Sequence, residues 1–384
     1  MNRRRLLAGL SVAGTAGIGG CFGEDGSDEP EREDPLDSSI GGAPMFQYDR
    51  YNSGDGGDNR IIDGDERFRV EIGDPVVSSP AVVDGVVYAA GGRRVLAVDA
   101  VDGERLWSVE LSGEIRSSPA VVDGTVYVGT RGESLYALQT ADGVERWRFE
   151  ANGAIDASPA VADGVVYVAS RATDGIVYAL DAEDGTERWA FETGYRVISS
   201  PAIDEAVYVG GWDSAVYALA IEDGAERWRV ETDRPVLSSP AAVDGTVYVG
   251  GNDDTLYALD ADDGNERWKR GTNGIATTPA VADGTVYVGT ETSDGRLYAL
   301  AADGGEEQWQ IDVGTAVSTP IGVAGGLVYF GQRDGDIIAV DAEDGTERIR
   351  GETGGEIRSA PTVAAETVYV GSNDGRLYAF GGVE

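Results

Sequence analysis

The sequence predicts an all-β fold, an eight-bladed β-propeller of four-stranded antiparallel blades, on three observations. The first is a repeat opened by a Ser/Thr/Ala-Pro pair at Pro80, Pro119, Pro159, Pro201, Pro240, Pro279, Pro320 and Pro361, with spacings of 39, 40, 42, 39, 39, 41 and 41 residues. The second is an aromatic mark in phase with it: Trp107, Trp147, Trp189, Trp228, Trp268 and Trp309, with Ile349 where a seventh Trp would fall. The third is a stray strand far upstream. Glu66-Arg67-Phe68-Arg69-Val70-Glu71 matches Glu226-Arg227-Trp228-Arg229-Val230-Glu231, with Phe68 in the Trp position. A period of this size means that each unit cannot bury its apolar face alone and stacks on its neighbours.

Each element of a repeat follows from local chemistry. In the fifth copy Ser239-Pro240-Ala241-Ala242-Val243 is a short apolar run, strand A, and Asp244-Gly245 turns the chain. Thr246-Val247-Tyr248-Val249-Gly250 is β-branched and aromatic and forms strand B. After the turn Gly251-Asn252-Asp253-Asp254, the run Thr255 to Asp260 is strand C. Ala261-Asp262-Asp263-Gly264 then turns into strand D at Glu266-Arg267-Trp268-Lys269. No stretch of helical periodicity interrupts this meander. The last copy supplies three strands, so the strand at about 66–71 is expected to complete it and close the ring.

The segments ahead of the repeats have other characters. Asn2-Arg3-Arg4-Arg5-Leu6-Leu7 and the mildly apolar run to Gly20 resemble a twin-arginine export signal, too short and Gly/Ala-rich for a membrane span. The run ends at Ile18-Gly19-Gly20-Cys21, which resembles a lipobox, so Cys21 is the candidate lipidation site. Residues 21–42 are acidic and poor in apolar side chains, and are expected to form a disordered tether carrying the propeller, 43–384. The expected location is the outer face of the cytoplasmic membrane, held by the lipid.

Charge narrows the partners. The chain has 30 Lys+Arg against 68 Asp+Glu, a net of −38, and Lys269 is its single lysine. Losing residues 1–20 removes three arginines and no acid, leaving 27 against 68, a net of −41. Such a surface repels nucleic acid and anionic lipid. The acids recur in the turns of every copy, which points to adaptation to concentrated salt, where repulsion is screened within about 3 Å at 1 M. With the export signal, this composition resembles a haloarchaeal lipoprotein.

The motif Ala-x-Asp-x-x-x-Gly-x-x-x-Trp is intact at Ala97, Asp99, Gly103 and Trp107, at Ala179, Asp181, Gly185 and Trp189, and at Ala258, Asp260, Gly264 and Trp268. Gln139, Ala220 and Ala301 depart at the Asp position and Ile349 at the Trp position. Small Ala permits close approach, Asp can accept turn amides, and Gly can take a positive φ. The indole is expected to dock on the next blade with its N–H partnered. Phe68, Trp107, Trp147, Trp189, Trp228, Trp268, Trp309 and Ile349 are therefore the blade-docking residues. The motif resembles the tryptophan-docking repeat of quinoprotein-type (PQQ-like) eight-bladed propellers. Ala43-Pro44-Met45-Phe46-Gln47-Tyr48-Asp49-Arg50-Tyr51-Asn52-Ser53-Gly54 likewise resembles the lead-in to their first blade. In architecture the chain is similar to the propeller lipoprotein of the bacterial outer-membrane assembly machinery.

Catalytic groups are scarce. With no histidine there is no Ser-His-Asp triad, no imidazole base and no haem attachment of the Cys-x-x-Cys-His kind. A lone cysteine excludes thiolate metal sites and disulfides within the chain. Asp181 to Glu187 and Asp260 to Glu266 look somewhat like calcium loops but fail the twelve-residue EF-hand pattern, and no metal site is assigned. The resemblance implies an alternative, a PQQ- and calcium-dependent quinoprotein dehydrogenase. Enzymes of that family hold calcium in a Glu/Asn/Asp set, use a catalytic Asp and commonly carry a vicinal disulfide. No vicinal cysteines exist here. The expected function is a non-catalytic, monomeric scaffold without cofactor, binding an unknown protein or small extracellular ligand.

The ligand face follows from topology. In an antiparallel meander the D–A and B–C connections share one face, and the A–B and C–D turns share the other. The latter are monotonous Asp-Gly turns, whereas variation gathers in the D–A segments. These give Arg116, Asp156, Tyr195, Arg196, Arg234 and Arg358 as candidate binding residues. The B–C turns add Arg93, Arg94, Arg131, Arg171, Arg333 and Trp212, the one Trp outside the docking register. Arginine and aromatic side chains at a channel mouth suit peptide, glycan or anion recognition. A plainer reading stays open at this stage: arginines paired with neighbouring acids, and Trp212 packed against a blade edge.

Overall fold

The computed structural model describes residues 43, 45–47, 49, 50, 52–57 and 64–381, all in one compact unit. The export signal, Cys21 and the tether lie outside the described residues. Eight four-stranded antiparallel sheets follow one another around a ring, at 81–110, 120–150, 160–192, 202–231, 241–271, 280–312, 322–352 and 362–380, the last joined by Glu66–Glu71. We number these blades 1 to 8. In blade 5 the strands are Ala241–Val243, Thr246–Gly250, Thr255–Asp260 and Glu266–Gly271, close to the bounds the repeat predicts. A strands of neighbouring blades approach one another and line the axis. Strands B and C are buried on both faces by adjacent blades, so they read as continuous apolar runs, while strand D exposes alternate residues.

The ring closes where the sequence predicts. Strand Glu66–Glu71 pairs with Arg376–Phe380, with Arg69 opposite Tyr378. Its register slips between Glu66 and Phe68, as each other C–D pair slips beside the docking alanine, for example between Ala258 and Leu259. Such a bulge re-aims the following side chains.

Docking is as the motif implies. The six motif tryptophans donate Nε1–H to a C–D turn carbonyl of the next blade at 2.7–3.0 Å. Each indole lies against that turn's glycine. At Gly143, with φ +74°, an added Cβ would come within 2.8 Å of the Trp107 ring. The strand-B tyrosines Tyr127, Tyr208, Tyr248 and Tyr287 donate to the same carbonyls at 3.1–3.3 Å, a second tie the Trp spacing does not announce. Turn aspartates behave as expected: Asp181 and Asp260 accept the amides of Glu183 and Asp262.

Ile349 has a structural reason. Its partner is Gly64, where an added Cβ would meet Ile349 Cγ2 at 3.1 Å. Gly64 precedes Phe68 by the usual four residues, so it is the docking glycine of blade 8. At this seam strand C ends at Phe380 and strand D starts at Glu66, so no continuous C–D turn supplies the indole's acceptor. An isoleucine needs none.

Near the axis a belt of hydroxyls joins the blades. The amides of Ser79, Ser118, Ser158, Ser200, Ser239 and Ala360 donate to Ser118, Ser158, Ser200, Ser239, Thr278 and Ser79 at 2.8–3.0 Å. Blade 7 departs from the spacing that treats Pro320 as equivalent to Pro279. Gly331 donates to Thr319 as Gly289 donates to Thr277, so Pro320 takes the place of Thr278. Lacking both N–H and hydroxyl, Pro320 cannot serve the belt there.

The lead-in fills the axis instead. Carbonyls of Ala43, Arg50, Ser53 and Gly54 accept the amides of Val82, Ile203, Val281 and Val323, the free inner edges of blades 1, 4, 6 and 7. Asn52 Nδ2 reaches the carbonyls of Ser200, Pro201 and Pro240 at 3.1–3.2 Å. Gln47 Nε2 bridges Pro279 and Ile321, at the joint where the belt is missing. Both side chains are buried, so the channel is occupied at the level of the A strands and any ligand must approach from a face.

Candidate functional site

Among the described residues, no A–B or C–D turn contains a lysine or arginine, whereas the D–A segments and B–C turns carry Arg93, Arg116, Arg131, Arg171, Arg196, Arg234, Arg333 and Arg358. Topology alone sorts these cations onto one face, because both sets of connections leave the same ends of the strands. On that face lies an open cavity of about 700 Å³, lined by Asp74, Pro75, Val77, Gly92, Glu114, Arg116, Asp156, Ile198, Ser318, Arg358 and Asn373. Its residues come from D–A segments on opposite sides of the ring, so it is the mouth of the central channel.

Of the seven predicted binding residues, Arg116, Asp156 and Arg358 line this cavity. Asp156 is the centre of a charged cluster. Arg131 grips it through two nitrogens, at 2.8 and 3.2 Å, and Arg171 adds a third bond at 3.0 Å. Arg131 also reaches Glu114 at 3.4 Å, which binds Arg116 at 2.9 Å. Across the mouth Glu356 takes Arg358 at 3.1 Å and Arg333 at 3.3 Å, and accepts Asn373 Nδ2. Most of these arginines therefore do pair with neighbouring acids.

Burial alone would raise the Asp156 carboxyl, but the hydrogen bonds and charges of Arg131 and Arg171 outweigh it and hold its pKa below the usual carboxylate range. A carboxyl depressed by folding stabilises the fold above its unfolded pKa, and that contribution is lost as pH falls through the lower folded value. The Asp156→Asn variant is expected to be less stable than wild type at pH 6 and to converge with it toward pH 2, in urea unfolding curves. A gap independent of pH would show that the cluster does not titrate with folding.

Tyr195, Arg196 and Trp212 form a second group beside the cavity, and the structure brings them together. Arg196 lies over the Tyr195 ring at 5.4 Å and over the Trp212 ring at 5.9 Å. Arg171, already bound to Asp156, lies over the same indole at 5.9 Å. The Trp212 amide donates to Arg196 O at 2.9 Å, which fixes the B–C turn of blade 4 to the segment entering that blade. Arg234 is exposed and stands apart, with no carboxylate within 4.0 Å among the described residues. The sequence did not single out Asp74, Pro75, Val77, Ile198, Ser318 or Asn373 as lining. Their signal was positional, since they occupy D–A and B–C connections like those of the predicted residues.

The fold is shared by several solved structures. The BamB structure from Moraxella catarrhalis superposes with a TM-score of 0.71 at 20% identity, covering 83% of this chain and 100% of that one. The quinohemoprotein alcohol dehydrogenase of Comamonas testosteroni gives 0.74 at 16% identity, covering 90% of this chain and 81% of that one. The computationally designed Ika8 protein gives 0.74 at 20%, covering 83% and 99%. At such identities the likeness is one of fold. No curated protein matches the chain in sequence. A family model described as outer membrane protein assembly factor BamB matches residues 40–117, 91–235, 212–304 and 293–383, and the chain belongs to that PQQ-like propeller repeat family.

Proposed function

We propose that the chain is an exported, lipid-anchored propeller that acts as a non-catalytic binding or assembly scaffold, engaging a protein or small extracellular ligand through its arginine-bearing face. The observation that carries this reading is the segregation of loop arginines and the Tyr195–Trp212 aromatics around an open cavity, in a chain of net charge −38. Exposed arginine and aromatic side chains are the residues that most often anchor partners. The family's description as an assembly factor agrees with a scaffold. Export and anchoring rest on the twin-arginine-like start and Cys21.

A quinone held by calcium fits the cavity poorly. Calcium needs several free oxygen ligands; Asp156 and Glu114 spend theirs on Arg131, Arg171 and Arg116, which leaves Asp74 and Asn373 Oδ1 as the uncommitted side-chain carboxylate and amide oxygens of the lining. No Trp lines the cavity to stack on a planar ring.

Crosslinking on intact cells in native salt is expected to recover a partner, and Trp212→Ala combined with Arg116→Ala is expected to lose it. Unchanged recovery by the double variant would sink the assignment of this face. Purified protein mixed with PQQ and calcium is expected to retain no quinone absorbance. Retention together with dye-linked alcohol oxidation would replace the scaffold with an enzyme.

A further inference from the structure

We infer that Arg196, Arg171 and Trp212 form an oxyanion-binding subsite for a carboxylate, phosphate or sulfate group. The inference rests on the reading of this face as the binding surface and assigns chemistry to one corner of it. Three observations converge.

The first is uncompensated charge. Two guanidinium groups lie over the ring of Trp212, each 5.9 Å from its centroid. Arg171 has Asp156 as counter-charge, but Arg131 claims the same carboxylate. Arg196 has no carboxylate within 4.0 Å among the described residues. A chain with 68 acids and 30 bases has an ample supply of counter-charges, yet Arg131 and Arg171 share Asp156, Arg131 has a further part of Glu114, and Arg196 has neither. Cations gathered around one aromatic ring repel one another, and a bound oxyanion offsets that repulsion.

The second is donor geometry. The Arg196 guanidinium, 5.4 Å from the Tyr195 ring centroid and 5.9 Å from that of Trp212, makes no hydrogen bond among the described residues. Its free N–H fork suits the planar or tetrahedral oxygens of an anion.

The third is Trp212 itself. The six docking indoles all donate their N–H. Trp212 Nε1 is shielded from solvent and has no protein acceptor among the described residues. A buried donor left unsatisfied calls for a reason. The ring is placed to present its π-face to the guanidiniums, at the expense of its own hydrogen bond. Packing at a blade edge would not require two arginines over the ring.

The same indole is the reporter for the test. Protein labelled with ¹⁵N-tryptophan carries seven indoles, and Trp212→Phe identifies the Trp212 N–H resonance by its loss. Sodium acetate, phosphate and sulfate are titrated at constant ionic strength against chloride. The Trp212 resonance is expected to shift saturably with at least one of them while the six docking resonances stay in place. Acetate against phosphate distinguishes a carboxylate from a phosphate source. Arg196→Gln is expected to weaken the response about tenfold or more, and Arg234→Gln, on the same face, to leave it unchanged. A resonance that none of the anions moves overturns the inference, as does one that moves equally in Arg196→Gln. Partner recovery on cells reads the scaffold separately: failure of the wild-type chain to recover any partner, with the anion response intact, would retire the scaffold and keep the subsite.

Discussion

Trp228→Ala is expected to destabilise the ring by about 3–5 kcal/mol, the range for truncating a buried Trp. Trp228 is 7% exposed, packs against Gly264 and donates to Ala261 O at 2.9 Å. Tyr208 donates to that same carbonyl at 3.3 Å, so the acceptor stays satisfied and the loss is mainly one of packing. Trp228→Phe should therefore recover most of the stability. The measurement is guanidinium unfolding followed by tryptophan fluorescence and circular dichroism. Equal losses for Ala and Phe would mean that the indole N–H, and not the buried ring, holds blade 4 on blade 5. Ile349→Ala is expected to cost less than Trp228→Ala, because a smaller side chain fills the seam.

Removing strand Glu66–Glu71 is expected to have the largest effect of all. Without it Arg376–Phe380 becomes an open edge with unpaired amides and carbonyls, and blade 8 loses its outer cover. Phe68 leaves Gly103, against which its ring now packs, and the pairing that closes the circle is gone. The shortened chain is expected to unfold at lower denaturant with a broader transition and to self-associate through the bared edge. Light scattering and unfolding curves against the intact chain check this. An unchanged midpoint with a monodisperse product would show that the lead-in and the inter-blade docking close the ring by themselves.

The fold was legible because each repeat states its own instructions. Asp-Gly turns, alternating β-branched and aromatic runs, and the in-phase tryptophans agree locally, and eight copies of one statement leave few alternatives. The clasp was legible because a D strand without its A, B and C strands can only complete a blade that lacks one. Less legible was blade 7. Pro320 keeps the spacing of its neighbours within a residue or two, yet hydrogen bonding places it in the seat of Thr278. Proline spacing alone could not show that shift; the partner of Gly331 did. Ile349 likewise read as an unexplained substitution until Gly64 was found beneath it.

The candidate site divides along the same line. By itself the sequence determined the propeller, its blade count, its closing strand and the face on which the variable arginines emerge, because these depend on period and connectivity. Only the tertiary structure decided which arginines are neutralised and which are not. Arg131 and Arg171 converge on Asp156, while Arg196 meets Tyr195 and Trp212 and no acid. Tyr195 is the chain neighbour of Arg196, but the other partners are 15 to 41 residues apart, such as Asp156 with Arg171 and Arg171 with Trp212. Ring geometry, not chain proximity, brings them together. Charge compensation depends on distances of a few ångströms between blades, and no periodicity within one repeat records them.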